Sequence, residues 1–237
     1  MPAAYVQDQE NHVNLGTQTS IPVTLDSAPT ANNLLVAAVH VRNTSVTAIT
    51  ASGWSVASFK NTSGEASAVL YKVSAGTETT TVFSFTGDDG EPAAIVTEFS
   101  GLDSTAPFDG ASSVSSGSAS SLTPSDVTPS SAPGLAHASV SCSVGSSSRT
   151  LNTPAGYTFI ELAGSTSTYN PQVRTAYKTY ADTTAVSVTG TASANTELAV
   201  HLALFKEPAV GGAPTLSDLQ AVSITASSVQ GTYDYAF

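Results

Sequence analysis

The side chains in this chain with the means to do chemistry are four histidines, one cysteine, an abundance of serines and several loop carboxylates. Nucleophilic catalysis needs a hydroxyl with a positioned base, and hydrolysis by carboxylates needs a facing pair. Serines are plentiful, yet no Gly-x-Ser-x-Gly elbow stands between a strand and a helix. His12, His40, His137 and His201 are scattered along the chain. Three of them, His40, His137 and His201, fall inside runs that read as strands, where a core or sheet-face histidine is the expected state. His40 and His137 sit at nearly equivalent places in two similar halves, which points to a structural role in both. No catalytic residue is assigned, and the chain is expected not to be an enzyme.

Oxygen ligands for a hard cation are offered by two acidic loops, one with Asp88, Asp89 and Glu91, the other with Asp103 and Asp109. Neither has the spacing of an EF-hand, so solvated turn carboxylates are the default expectation. Calcium is the one cofactor these loops suggest, and otherwise none is expected. Cys142 is the single cysteine, so no intrachain disulfide forms, and its place in a strand suits a small buried hydrophobe. Stacking of sugar rings on exposed aromatics leaves Tyr169, in Ser-Thr-Tyr-Asn-Pro, as the glycan-binding candidate. Trp54 and Tyr157 each follow a Gly turn at matching positions and read as core plugs.

The elements that must position these groups are strands. Residues 66–101 hold three apolar runs rich in β-branched and aromatic side chains, separated by Gly, Asp and Pro. Val69, Tyr71 and Val73 share one face; Thr81, Phe83 and Phe85 share another; Ala93, Ile95 and Phe99 share a third. Hydrophobic residues make up 41% of the chain, enough for a sizeable core, and only 11% are charged. Ser and Thr take the solvent-facing places, a bias that favours strands and turns over helices. The formal net charge of -11 gives no basic footprint for nucleic acid or anionic lipid, so neither is expected as a partner. The longest apolar run, 34–41, is too short to span a bilayer. The first ten residues have no basic and no apolar segment and do not read as a Sec signal. A particle protein released by lysis, secretion without such a signal, or a leader already removed would each account for that.

In chain order, 20–25 reads as an edge strand because of Pro22, and 34–41 as a central strand covered on both faces. Strands at 46–51 and 54–60 precede the 66–101 block. Residues 112–121 read as a linker or an exposed strand, and 122–127 as a short strand. A repeat then emerges. The run 134–140 echoes 34–40, Gly156-Tyr157 echoes Gly53-Trp54, Tyr177-Lys178 echoes Tyr71-Lys72, and 199–205 echoes 93–99. Two halves, about 1–110 and 111–207, can close as one double sheet or as two sandwiches in tandem. The expected fold is all-β: a single jelly-roll-like antiparallel sandwich over 1–207, with Leu198, Val200, Leu202 and Leu204 completing a shared core. Beyond a Gly/Pro hinge, residues 208–237 carry two strand-like runs that cannot bury a core alone. This extension is expected to dock or to mediate assembly through Leu219, Val222, Ile224, Val229, Tyr233, Tyr235 and Phe237.

The set Asn33-Leu34-Leu35-Val36, Gly53-Trp54, Leu70-Tyr71-Lys72-Val73, Gly76-Thr77-Glu78 and Glu98-Phe99-Ser100-Gly101-Leu102-Asp103 resembles a jelly-roll module of bacteriophage virion proteins and bacterial surface proteins. Pro154-Ala155-Gly156-Tyr157 and Phe205-Lys206 fit the same pattern, and the likeness spans about residues 3–207. The stretch from Pro214 resembles the first two strands of a fibronectin type III domain. The resemblance implies a non-enzymatic building or adhesion module and carries over no catalytic residues. It implies a capsid decoration, or cement, protein on the virion surface. Its partners would be copies of itself, as in a trimer, and the major capsid protein. The alternative is a tail-fibre, receptor-binding or carbohydrate-binding adhesion module, extracellular or at a cell surface, with a cell-surface glycan as partner.

Overall fold

Strict alternation of β-branched and aromatic residues with Ser and Thr leaves the backbone one economical choice, the paired strand. The computed structural model describes residues 2–13, 18–42, 45–62, 65–143, 149–164 and 171–209. Among these the chain is all-β, a layered antiparallel sandwich without helices. The first half contributes β1 (Ala4–His12), β2 (Ser20–Thr24), β3 (Leu34–Arg42), β4 (Ala48–Thr50), β5 (Ser55–Thr62), β6 (Glu65–Val73), β7 (Thr80–Thr86) and β8 (Glu91–Ser100). The second contributes β9 (Phe108–Leu122), β10 (Gly134–Ser143), β11 (Leu151–Asn152), β12 (Thr158–Gly164), β13 (Pro171–Tyr180) and β14 (Gly190–Lys206).

One plan is used twice. The first large sheet runs β1-β8-β3-β6-β5, and the second runs β9-β14-β10-β13-β12. Opposite the first lies a smaller sheet, β2-β7-β4. The order 1-8-3-6 facing 2-7-4 is the double Greek key of a jelly roll, with β5 attached beyond β6. In the second half the cover is built from the end of β9, the start of β14, β11 and a single bridge between Val127 and Val186. Gly53 and Gly156, with φ of 76° and 77°, make the equivalent turns ahead of β5 and β12.

Period-2 alternation decides which layer each residue joins. On β3, Leu35, Ala37, Val39 and Val41 meet Ile21, Ile49, Phe83 and Phe85 of the small sheet and close the first core. Leu34, Val36 and Ala38 point the other way, towards the second large sheet. On β10, Ala136, Ala138, Val140 and Cys142 join a core made wholly by the second half. Leu198, Val200, Leu202 and Leu204 belong to that second core, not to one shared by both halves. The sharing is done by the alternate face of β14, where Ala203 and Phe205 meet Leu34, Val36, Phe99 and Leu135. Both large sheets are thus covered on both faces, which is why β3 and β10 read as nearly unbroken apolar runs.

The large sheets meet with their strand orders reversed. β1 lies beside β12, β8 over β13, β3 over β10, β6 over β14 and β9 beside β5, an approximate twofold arrangement within one chain. The ladders give the equivalences. Leu34 faces Phe99 as Leu135 faces Phe205, and Leu35 faces Lys72 as Ala136 faces Lys178. By the same ladders His40 corresponds to Ser141, and His137 to Val36. His40 and His137 are therefore not equivalent, although the sequence echo aligned them closely. Residues 112–121 form part of the long strand β9 rather than a linker. Short bulges in β1, β5 and β12 twist the sheet edges.

Candidate functional site: a buried polar seam and the grooves at its ends

The seam between the two large sheets collects the groups that the sequence singled out for chemistry. His40 on β3, His137 on β10 and His201 on β14 all point into it and are fully buried. The Oγ of Ser58 on β5 lies 2.7 Å from His201 Nδ1, and that of Ser67 on β6 lies 2.9 Å from Nε2. Each contact joins one half of the chain to the other. His40 Nε2 lies 3.2 Å from the Oγ of Ser143, again across the seam. The Nδ1 of His40 faces Glu65 Oε2 at 3.6 Å, with both side chains buried. His137 makes no protein hydrogen bond through either ring nitrogen, and its ring meets the edge of Phe99.

Burial sets the protonation of this cluster. It pulls the imidazoles of His40, His137 and His201 down to about 3. The positive ends of Arg42 and Lys60 add to the effect on His40 and His201 respectively, as do neighbouring imidazoles. Burial pushes the Glu65 carboxyl well above its usual range, helped by the Glu197 carboxylate and opposed by the Ser143 backbone. The three imidazoles are therefore neutral at pH 7, and burial biases Glu65 towards its protonated form. Two serine hydroxyls on one imidazole look like the start of a hydrolytic centre. Ser67 and His201 are both sealed from solvent, however, and no reacting carbonyl can approach them. What this arrangement does chemically is tie two sheets together.

Two grooves open where the seam reaches the surface, and they are related by the internal twofold. One is lined by Gly53, Ser55, Tyr71 and Lys72 together with Pro107 and Phe108 at the start of β9. The other is lined by Gly156, Thr158, Tyr177 and Lys178 together with Ala4 and Tyr5 at the start of β1. In the first, Tyr71 stacks on Phe108 at 5.3 Å, and Lys72 is held by Glu78 at 2.7 Å. Burial raises the Glu78 carboxyl, but Lys72 and the backbone amides of Ala75 and Thr77 outweigh it and bring it down to about 2. In the second, Tyr5 stays 41% exposed. Its hydroxyl donates to Asp8, and burial together with that carboxylate pushes its ionisation up to about 12.

The loop carboxylates are held apart and engaged elsewhere. Glu91 pairs with Arg42 at 2.8 Å, Asp88 caps the amide of Asp89, and Asp103 accepts from the amides of Thr105 and Ala106. Asp109 accepts from the amide and hydroxyl of Ser130 and, at 3.4 Å, from the Tyr180 hydroxyl. Among the described residues no three His, Cys, Asp or Glu side chains converge to hold a metal ion. Cys142 is buried in the second core, which pushes its thiol up. Tyr169 and the assembly candidates Leu219, Val222, Ile224, Val229, Tyr233, Tyr235 and Phe237 lie outside the described residues. Sequence reasoning missed Glu65 and Ser58, and also Glu98. Buried on β8, Glu98 accepts from Gln7 at 2.6 Å, the Thr30 amide at 2.8 Å and Asn33 at 2.6 Å. An acid inside an apolar run was the available signal for Glu98.

The fold and seam define a class: an all-β chain of two jelly-roll-ordered halves fused through a closed polar interface. Comparison with protein-family models, curated proteins and solved structures finds no match.

Proposed function

We propose that the protein is a non-enzymatic structural component of a bacteriophage particle, a capsid decoration protein displayed on the virion surface. The observation that carries this reading is the enclosure of the Ser/His/Glu cluster between the two large sheets. Serine hydroxyls and imidazoles that elsewhere attack substrates are here turned inward and engaged in cross-sheet contacts. A surface dominated by Ser and Thr, with few charges, suits a protein that presents itself to varied surroundings. Copies of the chain and the major capsid protein are the partners this role requires. The extension 208–237, of which 210–237 lie outside the described residues, is the segment we assign to assembly.

Mass spectrometry of purified particles from a host carrying the gene tests the proposal. The chain is expected in many copies, released by the treatments that strip decoration proteins, and its absence from particles would refute the reading. Deleting 208–237 and measuring mass by light scattering tests the assembly role. Unchanged oligomeric state and unchanged incorporation would remove it. The exposed rings of Tyr5 and Phe159 support a second reading, an adhesion or receptor-binding module.

A further inference from the structure

The outer face of β12 and β13 differs in kind from its counterpart in the first half. There, Ala68 is buried beneath the cover sheet, and Phe83 and Phe85 fill the space above it. By the ladders the equivalent residue is Arg174, since Val140 faces Arg174 as Val39 faces Ala68. The second cover brings aliphatic residues such as Leu151, Val186, Val188 and Ala192 and no phenylalanine, and Arg174 lies half-buried between it and the edge strand. Its guanidinium lies 4.5 Å over the ring of Phe159, which is 45% exposed, and its Nη1 donates to Thr153 Oγ1 at 2.7 Å. On the same face of the strand, Lys178 Nζ sits 4.7 Å over the ring of Tyr157.

The internal repeat supplies a control for Lys178. Its counterpart Lys72 is neutralised by Glu78, whereas Lys178 makes no ion pair among the described residues. Arg174 makes none either, and Glu161, the carboxylate that acts on it, gives one oxygen to the Leu162 amide. A chain with a net charge of -11 thus places two cations that make no ion pair among the described residues on one strand, each resting on an aromatic ring. Lys178 also borders a groove lined by Thr153, Pro154, Ser187, Thr189 and Thr191. Hydroxyls that both donate and accept, set beside apolar surface, match the alternating polar and C–H faces of a sugar.

We propose that this groove and the adjoining β12–β13 face bind an acidic oligosaccharide, with Lys178 and Arg174 receiving its carboxylates. The two cations are four positions apart, about 13 Å along a strand. No single small anion reaches both, and an oligomer with spaced charges does. The overall negative charge repels a densely charged polyanion such as nucleic acid. It tolerates a short acidic oligomer, about three sugars long, whose few carboxylates these two cations meet. The inference goes beyond the particle role and holds for a decoration protein or a receptor-binding one.

The test is an amide-resolved NMR titration of the full chain with oligogalacturonate, its methyl ester and inorganic phosphate. Oligogalacturonate is expected to shift the amides of Thr153, Lys178, Ser187 and Thr189. The ester should bind at least tenfold more weakly. Lys178→Gln should weaken binding about tenfold with an unchanged melting temperature, and Lys72→Gln should leave it as it was. The proposal is overturned by an absence of shifts with oligogalacturonate, by equal binding of the ester, or by equal losses in the two lysine variants. Phosphate reproducing the shifts at the same midpoint would also overturn it, marking a simple anion contact.

Discussion

Replacing His137 with leucine should make the protein more stable, and more so in acid. The ring is fully buried, both nitrogens lack protein partners, and the equivalent place in the first half holds Val36. Removing an unsatisfied buried polar group recovers about 1–3 kcal/mol. Loss of the edge contact with Phe99 takes back part, leaving a net gain of about 1–2 kcal/mol at pH 7. Protonation adds to this. The folded-state pKa of about 3 lies below the ordinary histidine value of 6.5, so between them the unfolded chain binds the extra proton. Stability due to the neutral ring is complete above pH 6.5 and is lost as pH falls towards 3. At pH 4.5, two units below the unfolded value, the wild type has lost about 3 kcal/mol through this one residue. The leucine variant is spared that loss. It keeps the same acid sensitivity from His40 and His201. Glu65, raised in the folded state, contributes the opposite slope, with stability present at low pH and lost as pH rises above its unfolded value. Urea unfolding at pH 7 and 4.5 is the assay, followed by circular dichroism and by the single tryptophan, Trp54, which packs edge-on against Phe83. A variant less stable than wild type at pH 7, or one whose loss between the two pH values matches wild type, would show that the ring is satisfied in the seam and the reasoning wrong.

Three further outcomes are expected. Glu98→Gln should cost about 2–3 kcal/mol in urea unfolding, because a charged acceptor serving three donors is replaced by a neutral amide that cannot serve them all; an unchanged midpoint would mean the latch between β1, β8 and the 25–33 connection carries no load. Gly134→Ala should lower the melting temperature sharply, since a Cβ there would stand 2.3 Å from the Tyr180 hydroxyl and 2.5 Å from the Phe205 carbonyl; the clash is with backbone on one side, so relaxation is limited, and a melting temperature within a degree of wild type contradicts it. Cys142 should stay unreactive to a thiol reagent at pH 8 in the folded protein and react fully in urea, because it is buried and its thiol is harder to ionise than usual; rapid labelling of the native chain would count against the second core as drawn.

The strands were legible because their side chains alternate, and burial acts on that alternation directly. β3 shows as a doubly covered run, Pro22 marks an edge, and the Gly53-Trp54 and Gly156-Tyr157 pairs mark the same turn twice. The partition of those strands among layers was much less legible. Leu198, Val200, Leu202 and Leu204 share a face in the sequence, but nothing in their spacing says whose core that face closes. The answer lies in long-range packing of β14 on β10 and β9. The polar seam was hidden for a related reason. His40, Glu65, Ser67 and His201 come from β3, β6 and β14, and only the reversed stacking of the two sheets brings them together. Single polar residues inside apolar runs were the visible trace, and taken singly they read as isolated core substitutions.

The comparison of the halves shows where the chain departed from its own symmetry. At the seam the first half places Val36 and Ile95 where the second places His137 and His201. On the outer face it places Val56 and Ala68 where the second places Phe159 and Arg174. Each change in the second half substitutes a polar, charged or larger side chain for an apolar one, and each pair stands on opposite faces of the same large sheet. The seam residues His201 and Ser67 form directional contacts where two apolar sheets alone could slide past one another. Directional contacts across a buried interface favour one register over its neighbours at a cost in stability. The outer-face residues, by contrast, reach solvent, and among the described residues neither Arg174 nor Lys178 makes an ion pair. The first half contributes its own polar groups to the seam, His40, Glu65 and Ser67, but on the outer face of β12 and β13 the exceptions belong to the second half, which is where contact with something outside the chain would be built.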